Sequence, residues 1–148
     1  MKNLKKQTRK ILFTLFLIIC STFKVAAQDT NVDYGRLITA IGTVESKLND
    51  KTVNGVHAGF LQISKVTVAE CNRINKIKKV SKRYTLQDRF NHQKSIEIFY
   101  TIQGFYNPSG DLHYGILLWN EGCSAMKKPK RKTSYYNKVM NVYNKLTN

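Results

Sequence analysis

Apolar residues recur at helical spacing in almost every segment that follows residue 31. In the first of these segments they lie three or four positions apart, so they share one face of a helix. The residues of this face are Leu37, Ile38, Ile41 and Val44. Asn31 or Asp33 can cap the start of the helix, and the spacing puts Glu45 at or near its C-terminal end. This pattern predicts a mainly α-helical protein with little β-structure.

The later segments continue the same pattern. Ser64 can cap a second helix, and Thr85 with Asp88 three residues later resembles a capping box that starts a longer helix. The sequence Asn-Pro-Ser-Gly at 107–110 predicts the turn that ends this helix, and a short buried helix follows. Residues 49–59, rich in Asn, Gly and Thr, predict a loop or short hairpin. The final helix has an apolar face made of Tyr135, Val139, Val142, Tyr143 and Leu146.

The first 28 residues have the composition of an export signal. Basic residues at the start precede an apolar stretch at 11–20, and the small residues Ala26 and Ala27 follow it. We expect cleavage near Ala27 and Gln28, which leaves one domain at 29–148 in the periplasm or outside the cell. An uncleaved membrane anchor is the alternative. No later run reaches the roughly 18 apolar residues of a membrane span.

The charge of the chain is strongly positive. It has 25 Lys and Arg residues against 9 Asp and Glu residues, a net charge of +16. Removal of the signal takes away six basic residues and leaves a net charge of +10. Such a chain is attracted to anionic polymers, and cell-wall glycans, lipopolysaccharide and nucleic acid all qualify. The basic segments 76–83 and 127–132 lack interleaved aromatic residues, so we interpret them as solvated loops and expect no specific nucleic acid partner.

Cys71 and Cys123 are the two cysteines of the domain. In an oxidising compartment they can form a disulfide, which would stabilise the fold by about 4 kcal/mol. Two separately buried thiols are the alternative. The three histidines are scattered along the chain and no glycine-rich phosphate loop occurs, so we expect neither a metal nor an organic cofactor.

Four short motifs follow one another in the domain. They are Glu-Ser-Lys-Leu-Asn at 45–49, Gly-Phe-Leu-Gln-Ile at 59–63, Asn-Glu-Gly at 120–122 and Tyr-Tyr-Asn-Lys-Val at 135–139. Each is common by chance. In this order they resemble the lytic transglycosylase domain of the lysozyme-like superfamily, whose motifs are E-S-x-x-N, G-L-[LM]-Q-[IV], N-x-G and Y-V-x-x-V. The resemblance covers roughly residues 33–146.

The resemblance implies a single lysozyme-like domain with a substrate cleft. It also implies cleavage of the β-1,4 bond between N-acetylmuramic acid and N-acetylglucosamine in peptidoglycan. Glycosidic cleavage needs a carboxylic acid that stays protonated near neutral pH. Glu45 suits this role, because apolar surroundings and a helix C-terminus both disfavour its charged form.

A hydrolytic glycosidase normally uses a second carboxylate. No second acid of this chain has a position backed by a motif, and we interpret Asp50, Glu70, Asp88 and Asp111 as turn, cap or surface residues. Lytic transglycosylases use one glutamate, which protonates the leaving group and then accepts a proton from the muramic acid 6-hydroxyl. The resemblance therefore favours 1,6-anhydro products.

The resemblance also assigns substrate-binding roles to Ser46, Gln62, Asn120 and Tyr135. Ser46 would hold the glutamate or the peptide stem, Gln62 would bind substrate, and Asn120 would bind an N-acetyl group or the attacking hydroxyl. Tyr135 would line the cleft and hydrogen-bond the acid. The alternative for Gln62 and Asn120 is that they tie loops down, and for Tyr135 that it belongs to the core.

Two departures from the family pattern bear on these expectations. Glu121 stands where the family has Ala or Gly, either as a charge at a helix end or as a second acid that favours hydrolysis. Phe60 replaces a smaller aliphatic residue and is expected to reshape the floor of the cleft.

Two rival functions remain at this level. The first is a hydrolytic muramidase, and the second is a non-catalytic cell-wall-binding or secretion-associated protein of the same fold. Peptidoglycan glycan strands are the expected partner in each case. A secretion or conjugation machine is a further candidate partner.

Overall fold

The computed structural model describes residues 32–128 and 130–146, without the side chain of Met126. The expected export signal, and Asn31 as a cap, lie outside these residues. Within them the chain forms five α-helices and a small sheet of three strands. The elements are α1 (Tyr34–Ser46), β1 (Val53–Asn54), β2 (His57–Ala58), β3 (Ile63–Ser64), α2 (Lys65–Ile77), α3 (His92–Tyr106), α4 (Leu112–Glu121) and α5 (Ser134–Lys145). Two 3-10 helices lie at Leu86–Phe90 and Gly122–Lys127. The prediction of a mainly helical chain is confirmed.

Asp33 and Ser64 cap the starts of the first two helices as predicted. The side chain of Asp33 accepts a hydrogen bond from the backbone N–H of Arg36, and Ser64 accepts one from Thr67. Lys47, in the left-handed conformation at φ 57°, ends α1 and returns its N–H to carbonyls of the last turn. Glu45 is therefore the penultimate residue of α1.

The predicted capping box caps a different element. Asp88 Oδ2 accepts a 2.7 Å hydrogen bond from the Thr85 N–H, but the box starts the 3-10 helix at Leu86–Phe90. The extended backbone of Asn91 (ψ 117°) ends the helical conformation there. The Asn91 side chain then caps α3 by accepting a hydrogen bond from the Lys94 N–H. The prediction that Thr85 starts the long helix is wrong, because the backbone cannot stay helical through Asn91.

Residues 49–59 form the predicted short hairpin. β1 pairs with β2 in the antiparallel register Val53↔Ala58 and Asn54↔His57, and β2 pairs with β3 through His57↔Ser64. Gly59, at φ +78°, lies so close to the backbone of Arg89 that an added β-carbon would stand 1.7 Å from the Arg89 carbonyl oxygen. Only glycine fits this contact, which holds the hairpin against the 3-10 helix before α3.

One hydrophobic cluster joins all five helices. Leu37 and Ile41 of α1 are fully buried, and so are Phe99 of α3, Ile116 of α4 and Val139 of α5. Leu146, expected on the apolar face of the last helix, is 44% exposed because α5 ends at Lys145. Phe60 is also fully buried, so it belongs to this core.

The two cysteines are free thiols. Cys71 is buried in the core, whereas Cys123 is exposed on the second 3-10 helix. A disulfide brings two β-carbons within about 3.5–4.5 Å of each other, and here one side chain lies in the core and the other at the surface. The disulfide alternative is therefore wrong, and the burial expected for Cys123 is wrong as well. Among the described residues, no helix has the length and apolar character required to cross a bilayer.

Candidate functional site

Glu45 faces a cleft of about 620 Å³. Its walls come from the end of α1, the hairpin, α2, α3 and α4, so all of these elements must fold before the cleft exists. Of the site residues predicted from sequence, Gln62 and Asn120 line the same cleft. Ser46 and Tyr135 are not among the described residues that line it.

The carboxylate of Glu45 is half-buried and has one direct side-chain partner. Tyr135 Oη donates a 2.7 Å hydrogen bond to Glu45 Oε1. Burial raises the pKa of Glu45, and the hydrogen bond from Tyr135 and the charge of His57 oppose this rise without cancelling it. Because the net pKa shift is upward, Glu45 retains its proton at higher pH than an ordinary glutamate.

Tyr135 is held as a neutral donor. Burial raises the pKa of the phenol, and the adjacent charge and hydrogen bond of Glu45 raise it further. A phenol in this state cannot compete with Glu45 as the acid. It can only donate its proton in a hydrogen bond, and that bond favours the ionised form of Glu45 once the carboxyl proton has left.

His57 is a cleft residue that the sequence analysis did not assign to the site. It lies on β2, is exposed, and lines the cleft with Glu45. Its positive charge, when protonated, lowers the pKa of Glu45. The only sequence signal for it was its place in the hairpin that follows the Glu-Ser motif.

Ser46 acts on the backbone beside the acid. Its Oγ donates a 2.8 Å hydrogen bond to the Phe60 carbonyl and accepts one from the Asn49 N–H. These bonds connect the end of α1 to Asn49, which precedes the hairpin, and to Phe60, which follows the β1–β2 pair. These hydrogen bonds of Ser46 are all to backbone groups, so its side chain holds the backbone next to Glu45.

Gln62 presents one unpartnered acceptor. Its Nε2 donates to the carbonyls of Gly59 (2.8 Å) and Thr52 (3.2 Å), so the amide orientation is determined by two acceptors. Its Oε1 is buried and has no partner within the protein. Gln62 is 8% exposed and stands at the left-handed φ of 50°. A buried carbonyl oxygen without a partner is costly, and a ligand N–H or O–H would satisfy it.

Asn120 is far from Gln62 in the sequence but lines the same cleft. It is exposed near the C-terminal end of α4 and lines the cleft beside Trp119. The Trp119 indole donates a 3.2 Å hydrogen bond to the Leu61 carbonyl, one residue before Gln62. This bond couples the wall that holds Asn120 to the segment that holds Gln62.

Glu70 is the second carboxylate of the cleft, and its interpretation as a turn, cap or surface residue was incomplete. It lines the cleft from α2, where Arg73 binds it through two hydrogen bonds of 2.6 and 2.8 Å. Tyr106 of α3 donates a further hydrogen bond to it. The hydrogen bonds from Arg73 lower the pKa of Glu70 most, so this carboxylate is ionised where Glu45 is protonated. No motif marked Glu70; only the folding of α2 against α3 reveals it.

Glu121 is not among the described residues that line the cleft. Its carboxylate forms ion pairs with Arg131 and with Lys128, the latter at 3.2 Å. Burial alone would raise the pKa of Glu121, but the two cations outweigh it and lower the pKa. Of the two interpretations of Glu121, the charge at a helix end agrees with this position. Phe60 does not form the cleft floor either, since it stacks on His92 with ring centroids 4.0 Å apart.

Within the described ranges, no group of three or more His, Cys, Asp or Glu side chains is arranged to hold a metal ion. The chain was compared with family models, with curated proteins and with solved structures, and none of the three comparisons found a match. The chemistry of the cleft therefore rests on its own geometry. That geometry places Glu45, whose pKa is raised, Glu70, whose pKa is lowered, and the amide side chains of Asn54, Gln62 and Asn120 around one cleft.

Proposed function

We propose that this chain is an exported, lysozyme-like enzyme that cleaves the β-1,4 bond between N-acetylmuramic acid and N-acetylglucosamine in peptidoglycan. One observation carries the proposal: Glu45 keeps a raised pKa inside a cleft that Gln62 and Asn120 also line. The basic, apolar and small-residue order of residues 1–28 supports export.

The proposed reaction is that of a lytic transglycosylase. Glu45 donates its proton to the oxygen of the leaving N-acetylglucosamine as the bond from that oxygen to C1 of muramic acid breaks. The ionised Glu45 then accepts the proton of the muramic acid 6-hydroxyl, whose oxygen bonds to C1 and closes the 1,6-anhydro ring. The hydrogen bond from Tyr135 and the nearby charge of His57 favour the ionised form between these steps.

Substrate binding is proposed for the two amides. Gln62 Oε1 would accept a hydrogen bond from an N-acetyl N–H or a sugar hydroxyl, because its Nε2 is already used by two carbonyls. Asn120, exposed in the same cleft, would bind a second polar group of the substrate. The position of Ser46 supports an indirect role, in which it fixes the end of α1.

Hydrolysis by a muramidase is the second candidate, and Glu70 is the observation that favours it. An ionised carboxylate in the same cleft is what a hydrolase needs to activate water or stabilise a cation. Its two bonds from Arg73 argue for a structural use instead, because they occupy both carboxylate oxygens.

The test is digestion of purified sacculi followed by mass spectrometry of the released muropeptides. Anhydro-muramyl ends support the transglycosylase, and hydrated reducing ends select the muramidase. Glu45→Gln should abolish release in either case while binding to sacculi remains. Glu97→Gln is the matched control, because it removes a carboxylate that lies outside the cleft, beside Lys82.

Binding to sacculi without release of fragments by the wild-type chain would overturn the proposal. That result would select a non-catalytic wall-binding or secretion-associated protein. Full activity of Glu45→Gln would remove the acid assignment.

A further inference from the structure

Residues 76–83, which we call the basic loop, comprise the last two residues of α2 and the segment that follows them towards the first 3-10 helix, on a surface outside the cleft. All eight residues are exposed. Five of them are cationic and none is acidic, and the sequence reads Lys-Ile-Lys-Lys-Val-Ser-Lys-Arg. Such a run of exposed residues contributes nothing to the core, so its composition is free to serve another purpose.

The basic loop is nevertheless held in one conformation. The side chain of Asn75, 5% exposed, donates a 3.0 Å hydrogen bond to the Lys82 carbonyl, and its backbone carbonyl accepts a 2.8 Å bond from the Val80 N–H. Just beyond the loop, Asn72 clamps the backbone of Tyr84 with two 2.8 Å hydrogen bonds. Two asparagines of α2 thus bind the backbone of the loop and of the residue that follows it. The fold fixes this surface although the surface buries no side chain of its own.

The charges of the basic loop are mostly not neutralised by the protein. Of its five cations, Lys82 is ion-paired with Glu97 at 2.7 Å, and none of the other four forms an ion pair with an acid of the described residues.

In the second basic segment, residues 127–132, three of the five cations are ion-paired, against one of five in the basic loop. Lys128 and Arg131 pair with Glu121, and Lys130 pairs with Asp111 at 2.6 Å. Those cations hold the chain onto α4, whereas the cations of the basic loop are presented to solvent.

Two aliphatic side chains stand among these cations. Ile77 is 54% exposed and Val80 is 46% exposed. Exposed aliphatic groups flanked by unpaired Lys and Arg match a lipid surface, where cations contact headgroup phosphates and apolar side chains enter the boundary with the acyl chains. A dissolved polyanion would satisfy the cations only. The loop also has no aromatic residue on which a nucleotide base could stack.

We propose that the basic loop docks the protein on an anionic lipid surface, with Lys76, Lys79 and Arg83 at the headgroups and Ile77 and Val80 inserted between them. This surface is distinct from the cleft and does not depend on the proposed activity. Docking there would restrict the protein to the face of a membrane while the cleft remains open.

The test is co-sedimentation of the chain from Asp29 onward, which keeps every described residue, with lipid vesicles. We expect binding to vesicles of phosphatidylcholine with 30 mol% phosphatidylglycerol in low salt, little binding to pure phosphatidylcholine, and release as the salt concentration rises. The triple variant Lys76→Gln, Lys79→Gln, Arg83→Gln should bind at least about tenfold more weakly. The double variant Ile77→Ser, Val80→Ser should bind several-fold more weakly at unchanged net charge.

A matched triple variant, Lys132→Gln, Lys138→Gln, Lys145→Gln, removes the same charge from exposed positions elsewhere. It should bind within about twofold of wild type, because the loop and not the net charge makes the contact. All substituted residues are exposed, so circular dichroism should show the same fold for each variant. No binding to the anionic vesicles would overturn the proposal, and so would equal losses in the two triple variants. Unchanged binding of the Ile77 and Val80 variant would overturn the proposed insertion of these two side chains.

Discussion

Tyr135 on α5 donates a 2.7 Å hydrogen bond to Glu45 at the end of α1, across 90 positions of sequence. The same two helices are joined a few turns away, where Arg36 donates a 2.7 Å hydrogen bond to the Tyr143 carbonyl and its guanidinium lies 3.8 Å from the Tyr143 ring centroid. The position of the proposed acid is therefore set by how the first and last helices pack. Substitutions on α5 are expected to change the ionisation of Glu45.

Tyr135→Phe should raise the pKa of Glu45, because the hydrogen bond from Tyr135 lowers it. The basic limb of the pH profile of kcat/KM should move to higher pH, and the rate at the optimum should fall by up to about a hundredfold as the carboxylate loses its orientation. Loss of the bond should also reduce the free energy of unfolding by about 1 kcal/mol. Turnover of soluble glycan strands at a series of pH values measures the limb.

Tyr136→Phe is the control for this variant. Tyr136 is the next residue of α5, and its ring lies against His113 with centroids 4.3 Å apart. The Tyr136→Phe variant should show both limbs of the pH profile of kcat/KM at the same pH as the wild type. A basic limb that stays fixed in Tyr135→Phe would contradict the proposed coupling.

Glu45→Gln should stabilise the fold at neutral pH while it removes activity. Because burial raises the pKa of Glu45 in the folded state, the wild-type side chain favours folding below the pKa of an unfolded glutamate. That contribution is lost as the pH rises through the higher folded pKa. The neutral amide has no such loss and can still accept the bond from Tyr135. We expect a gain of about 0.5–2 kcal/mol at pH 7, as is common when an active-site group is replaced.

Thermal unfolding of the two proteins between pH 4 and pH 8 measures this effect. The advantage of the variant should grow as the pH rises and nearly vanish at the acidic end. If the difference in stability between the variant and the wild type were the same at both ends of the pH range, burial would not perturb the pKa of Glu45.

Gly59→Ala should strongly destabilise the protein. An added β-carbon would meet the Arg89 carbonyl oxygen at 1.7 Å, and the residue has a positive φ of 78°. Gly55→Ala is the matched control, since Gly55 has a φ of 59° but open space around it. We expect Gly55→Ala to cost about 1–2 kcal/mol from the backbone conformation alone, and Gly59→Ala about 2 kcal/mol or more beyond that from the clash. Urea unfolding of both variants separates the cost of the backbone conformation from the cost of the clash. An equal loss of unfolding free energy in the two variants would show that the contact with Arg89 is not tight.

Cys123 should react with maleimides in the folded chain, whereas Cys71 should not. Cys123 is exposed and lines the cleft, and Cys71 is buried. In the chain from Asp29 onward, mass spectrometry should therefore find one modified thiol before unfolding and two after it. A bulky maleimide at Cys123 should block substrate cleavage, and Cys123→Ser should be active and resistant. Labelling of neither thiol in the folded chain would indicate that the cleft is closed at this position.

Much of the secondary structure could be predicted because its causes are local. Three kinds of local signal lie where they were expected, and each acts within a few residues. They are the apolar face with Leu37 and Ile41, the caps Asp33 and Ser64, and the turn at 107–110. The capping box at Thr85 shows the limit of this reasoning. Its bonds form as predicted, but the extended conformation of Asn91, six residues later, decides that only a 3-10 helix follows.

Local residue patterns were enough to predict a mainly helical chain, the place of Glu45 at a helix end, and the short motifs that contain Gln62 and Asn120. The other groups that share the cleft with Glu45, and the charge of each, depend on how the helices pack. Burial raises the pKa of Glu45 and the hydrogen bond from Tyr135 partly offsets that rise, whereas hydrogen bonds from Arg73 lower the pKa of Glu70. Glu121 is ion-paired with Lys128 and Arg131 and is not among the described residues that line the cleft. The reason is that ionisation depends on solvent exclusion and on charges a few ångströms away. Tyr135 lies far from Glu45 in the chain, and the two side chains meet only when the first and last helices pack.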